Sequence, residues 1–220
     1  IVHPSPCPVP IGYPCKKGHT NLLVGGEGAL QYYRFHGFSK ENGLPYYANP
    51  KPVPELRALL YGGSHPIISF ADWDRDGRSD IVAGNAEGRV LFFKNIGTDR
   101  SPQFLPGLAV RQSILEVQYS NATLHNKFTR NIHLRAGYQA VNGPAESEYG
   151  FATPEVTDWD GDGYPDLVMT DANAAHTVYL NARNSAGPPV MQPPLRLLWE
   201  GLEIHGPWRV KPAVARVQGR

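Results

Sequence analysis

At 220 residues the chain is long enough for one or two packed domains, and 41% hydrophobic residues place it among globular rather than disordered sequences. Its 21 basic and 20 acidic side chains leave a net charge of +1, which removes the electrostatic case for nucleic acid or an anionic membrane surface as a partner. No apolar run approaches the length of a membrane span, while 23 glycines and 21 prolines suit many short strands joined by turns.

The chain starts Ile1-Val2-His3-Pro4, with neither a basic nor an apolar leader pattern, as expected of a processed protein or a fragment. Cys7 and Cys15 are the only cysteines, eight apart in a Pro-rich segment. A disulfide across that loop is the leading expectation and implies an oxidising, extracellular or luminal compartment. Two free thiols remain an alternative, and a zinc site would need more ligands than His3 and His19 supply.

Self-similarity then organises the rest. Asn21 to Phe35 aligns with Asp80 to Lys94 and with Asp166 to Asn181. Each stretch reads as an apolar strand, a turn rich in Gly, Asn or Ala, and a second strand with aromatics, which is a hairpin pattern. Another strand precedes the second and third copies, at residues 65–70 and 151–157, and Lys211 to Ala215 reads as the opening of a fourth. The step is nearly 60 residues, except that the second unit carries an insertion of about 28. Val90-Leu91-Phe92-Phe93 alternates poorly, as expected of a strand covered on both faces.

Two acidic loops carry the chemistry. Asp72, Asp74, Asp76 and Asp80 occupy positions 1, 3, 5 and 9 of one loop, and Asp158, Asp160, Asp162 and Asp166 repeat the spacing in the other. Alternate carboxylates in a tight loop converge on a hard cation that takes six to eight oxygens, with a backbone carbonyl near position 7 (Arg78 or Tyr164) as a further ligand. Gly77 and Gly163 stand at position 6, where the loop must turn sharply. An EF-hand is excluded, because position 12 is Ala83 in one loop and Met169 in the other rather than a bidentate Glu. Two acidic surface turns without an ion are the plain alternative.

The insertion, residues 112–150, is where specific function is expected, since loops on a rigid scaffold carry binding groups. It holds His125, Arg130, His133, Arg135 and Tyr138, and Asn121-Ala122-Thr123 is a glycosylation acceptor pattern. His, Arg and Tyr converging in one pocket would suit proton abstraction next to a carboxylate, so a sugar or uronate lyase or dehydratase is the enzymatic alternative. Equally, these residues would be an insertion's ordinary share of polar side chains. Nucleophile elbows, phosphate-binding loops and dinucleotide fingerprints are absent from the sequence.

The D-x-D-x-D-G-x-x-D loops, each followed by an apolar strand, a turn and an aromatic strand, resemble the FG-GAP/VCBS repeat of calcium-binding β-propellers, the family of the integrin α-subunit head. The resemblance covers roughly residues 20–105 and 150–184. It implies an all-β chain of propeller blades, about two complete and two partial, forming a single segment. Blades would span about 1–63, 64–150, 151–205 and the start of another at 206–220. Asp72, Asp74, Asp76 and Asp80 with the backbone of Arg78 would hold one structural Ca²⁺. Asp158, Asp160, Asp162 and Asp166 with the backbone of Tyr164 would hold a second. Asn21 stands where the first unit's last Asp belongs, so no ion is expected there. Rings of this type close with about four to eight blades, so the remaining blades would come from other chains or from more of the same polypeptide. A binding or assembly module for proteins or glycans is the expected function.

Overall fold

The computed structural model describes residues 5–9, 20–26, 29–56, 58–124, 127–140, 151–170, 174–183, 189–207 and 210–215, with backbone alone for 5–9, 113–124 and 127–140. The described residues are all-β, with 21 strands and no helix.

The first sheet joins β1 (Ser5–Val9), β2 (Asn21–Gly25) and β3 (Gln31–Tyr33). The chain leaves it for a hairpin, β4 (Phe35–Phe38) with β5 (Pro45–Tyr47), and returns as β6 (Lys51–Pro52) to give the order β1-β2-β3-β6. A small hairpin, β7 (Pro54–Glu55) with β8 (Ala58–Leu59), leads on. The second sheet is an antiparallel meander of β9 (Ile67–Ala71), β10 (Asp80–Gly84), β11 (Val90–Phe93) and β12 (Leu108–Ala109).

Next comes a ribbon of two 14-residue strands, β13 (Arg111–Leu124) and β14 (Lys127–Ala140). The third sheet is again a meander, β15 (Thr153–Thr157), β16 (Asp166–Thr170) and β17 (His176–Tyr179). It is completed by β19 (Leu195–Arg196), after β18 (Val190–Met191) has paired in parallel with the base of β13. A last hairpin joins β20 (Leu198–Trp199) and β21 (Leu202–Glu203).

The aligned hairpins of the sequence thus become the second and third strands of three sheets, with the acidic loops joining β9 to β10 and β15 to β16. The middle sheet is buried on both sides, which is why its strands do not alternate. Ile81, Ala83 and Phe93 pack with Leu23, Leu30, Leu60 and Phe104 toward the first sheet. Val82, Val90 and Phe92 pack with Leu167, Met169 and Tyr179 toward the third. Each large side chain so buried contributes about 1.5–3 kcal/mol.

Adjacent sheets approach closely at the same repeat position. A Cβ on Gly25 would lie 2.1 Å from the Pro66 carbonyl oxygen, and one on Gly84 would lie 2.1 Å from that of Ala152. Only glycine leaves room for backbone to meet backbone there. Thr170 holds the position in the third sheet, and its hydroxyl bonds His176 Nδ1 at 2.8 Å.

Lys211 to Ala215, expected to open a further strand, forms none. A strand persists only when a neighbour satisfies its backbone, and here the segment is held otherwise. Val210 O accepts the Thr153 hydroxyl at 2.9 Å, and Lys211 Nζ reaches Ile68 O at 2.8 Å and Glu155 at 3.1 Å.

Candidate metal centres

Each loop is built around its last aspartate. Asp80 and Asp166 open β10 and β16, are 0% and 1% exposed, and use both carboxylate oxygens. Asp80 Oδ2 accepts the Trp73 amide at 3.0 Å and Oδ1 the Asn95 amide at 2.7 Å. Asp166 does the same with Trp159 and Asn181, both at 2.8 Å. The carboxylate therefore ties the start of its loop to the strand end two hairpin arms away.

The first aspartate closes the turn from the other side. Asp72 Oδ2 accepts the Gly77 amide at 2.9 Å and Asp158 Oδ2 that of Gly163 at 3.1 Å. Gly77 and Gly163 have φ of 84° and 83°, as position 6 requires. The fifth position also repeats, since Asp76 accepts the Arg78 amide and Asp162 the Tyr164 amide.

In the loops so closed, Asp72, Asp74 and Asp80 have carboxylate oxygens within 4.8 Å of one another, and likewise Asp158, Asp160 and Asp166. The donor set is oxygen alone, and the innermost carboxylate is buried beside other carboxylates. Desolvation pushes Asp80 up to about 7, with Asp74 and Asp76 adding to the rise, and raises Asp166 for the same reason. A buried carboxylate in that condition lacks positive charge, which a metal ion in the triad would supply. Both triads are placed to hold one.

Asp76 and Asp162 stand apart from the triads. Asp76 pairs with Arg78 at 2.6 Å and Lys94 at 3.2 Å, and the Arg78 hydrogen bond holds it down at about 2. Asp162 is lowered first by the Tyr164 amide and then by Arg183, whose Nε donates to it at 2.8 Å. Lys94 also pairs with Asp74. A lysine or arginine from the strand end thus sits on each loop.

No family model matches the chain, and no curated protein matches it significantly. Among solved structures, a chain of the Tc holotoxin pore of Photorhabdus luminescens is similar at 17% identity and a TM-score of 0.38. The match covers 85% of this chain and 7% of that one, and a likeness at that level carries no argument.

Asn95 and Asn181 are the residues that sequence reasoning missed. Each lies 15 positions after the last loop aspartate and returns a side-chain bond to the loop, Asn95 Nδ2 to Ser79 O at 3.2 Å and Asn181 Nδ2 to Pro165 O at 3.0 Å. The constant Asp-to-Asn spacing was the available signal. In the first sheet Asn21 replaces the aspartate yet keeps the tie, its Oδ1 accepting the Phe35 amide at 2.9 Å.

Over its described residues the insertion forms the ribbon. Its register sets Arg130 opposite Asn121, His133 opposite Gln118, Arg135 opposite Glu116 and Tyr138 opposite Ser113. Arg130 and Tyr138 therefore fall at register positions of one face, and His133 and Arg135 at those of the other. His125 lies outside the described residues. So does Cys15, and with it the expected bridge to Cys7, which is on β1.

Proposed function

We propose that this chain is a calcium-stabilised segment of a β-propeller, working outside the cell or in a lumen as a binding or assembly module. The observation that carries the reading is the pair of loops, alike in the backbone amides that their first, fifth-position and last aspartates accept, each gathering three carboxylates at the same joint of successive meanders. Calcium suits them better than magnesium, because flexible coordination by many oxygens fits a loop that supplies carboxylates and a carbonyl, whereas Mg²⁺ demands near-octahedral geometry and keeps its waters. The ion is structural: it satisfies a buried carboxylate and pins the joint between two strands.

Three four-stranded meanders docked in the same way, with glycine at each approach, support the blade reading. Trp73 is 7% exposed beneath the third sheet, while its repeat counterpart Trp159 is 44% exposed. A further blade, from another chain or from more of the polypeptide, would cover Trp159 as the third sheet covers Trp73. Proteins and glycans are the partners such a module engages.

The test is thermal unfolding in EGTA and in added calcium. Calcium at about 100 times its dissociation constant should stabilise by about 2.7 kcal/mol per site. Magnesium at the same concentration should do much less. An unchanged melting temperature would end the calcium reading.

A further inference from the structure

The two acidic loops share a wall. Between the second and third sheets lies a cleft of about 560 Å³, within the range of pockets that take small organic ligands. Trp73, Phe92 and Tyr164 give it an aromatic lining, and Arg75, Lys94 and Arg183 bring three cations. Among the described residues that line it the one carboxylate, Asp74, is already paired with Lys94.

Arg75 is the informative residue. It occupies position 4 of the first loop with φ of 63°, where the second loop has Gly161 at 78°. A left-handed backbone costs an arginine what glycine does not pay, so the loop would be easier to build with glycine. What the arginine does is reach the neighbouring loop: its guanidinium lies 4.8 Å from the centre of the Tyr164 ring, and that of Arg183 lies 5.7 Å from it. Strain kept at a cleft wall points to use of the side chain.

Resting on the module reading above, we infer that this cleft binds an acidic sugar, a short saccharide bearing a carboxylate or sulfate. The half-buried Tyr164 ring takes the sugar over a floor made by the edges of Trp73 and Phe92, and guanidinium groups take the anion in a two-pronged grip. The metal loops set its strength. Lys94 holds Asp74, a carboxylate of the first triad. Calcium in that triad competes for the Asp74 oxygens and leaves Lys94 to the cleft, so metal and sugar bind each other's form of the protein more tightly.

The experiment is titration of the whole chain, followed by tryptophan fluorescence and calorimetry, with a glucuronate-containing disaccharide, a sulfated disaccharide and their neutral counterpart. Either acidic probe should bind at least tenfold more tightly than the neutral one, and which of them does so identifies the anion. Arg75→Gly should lose at least tenfold in that affinity while its melting temperature stays level or rises. EGTA should weaken wild-type binding. Equal binding of the neutral sugar, binding of none of the three, or unaltered affinity in Arg75→Gly would overturn the inference. Calcium-dependent melting is read separately. If it is absent while the acidic sugar still binds through Arg75, the calcium reading fails and the cleft stands.

Discussion

A single atom separates Asp80 from Asn21, and the first sheet shows what the exchange does. Asn21 still accepts a strand amide, so the tie between hairpin arms needs an oxygen and not a charge. Charge at this position is a liability without an ion. Burial raises Asp80 to about 7, above its unfolded range, so between about pH 4 and 7 the folded metal-free protein holds a proton that the unfolded chain has released. Stability of the stripped protein should therefore fall as pH rises through that window, and melting in EGTA should be lower at pH 7 than at pH 5.5. Asp80→Asn should flatten that slope and abolish the calcium response of its loop, while losing the bond to the Trp73 amide, about 1 kcal/mol. Arg75→Gly acts in the opposite sense on the fold. Removing a left-handed arginine should stabilise by about 1 kcal/mol, read as a raised urea midpoint with unchanged slope.

At the scale of elements, the acidic loops were legible because such a loop is local: nine residues contain the three carboxylates that could hold a metal ion, the last of them buried, and the turn glycine. Lys94 and Arg183 were not legible as partners of those loops, and Asn95 and Asn181 were marked only by their constant spacing, since the hairpin fold is what carries all four back across 15 to 21 positions. Lys211 to Ala215 misled for a related reason, as its apolar pattern fits a strand but pairing decides whether one forms. The stretch expected to be an insertion, residues 112–150, carries the ribbon over its described residues, and that paired form was not legible because neither strand carries a turn signal of its own. Beyond the pairing of its base with β18, the ribbon contributes no strand to the three meanders. Replacing residues 114–137 by Asn-Gly should consequently leave calcium-dependent melting intact within a few degrees. A large loss of stability would show instead that the ribbon is part of the packed body.

For the whole molecule the question is whether three sheets melt as one. The buried clusters on both faces of the middle sheet make it common property of its neighbours, and β9 also packs directly on β15. Metal at either loop should then stabilise the same cooperative transition. Gly84 is the place to break this coupling. A valine there would put its Cβ 2.1 Å from the Ala152 oxygen and 2.4 Å from Pro154, both on or beside the third sheet's first strand, where no flexible side chain can yield. The sheets must separate, at a cost of about 3 kcal/mol or more and a drop of about 10 °C in melting temperature. Separation should also divide the two metal effects. In the wild type, Asp74→Asn and Asp160→Asn should each lower the one calcium-loaded transition. In Gly84→Val, calorimetry should resolve two transitions, one sensitive to Asp74 and the other to Asp160. A single transition in Gly84→Val that still answers to both loops would mean that the sheets are coupled by something other than their close approach at this glycine.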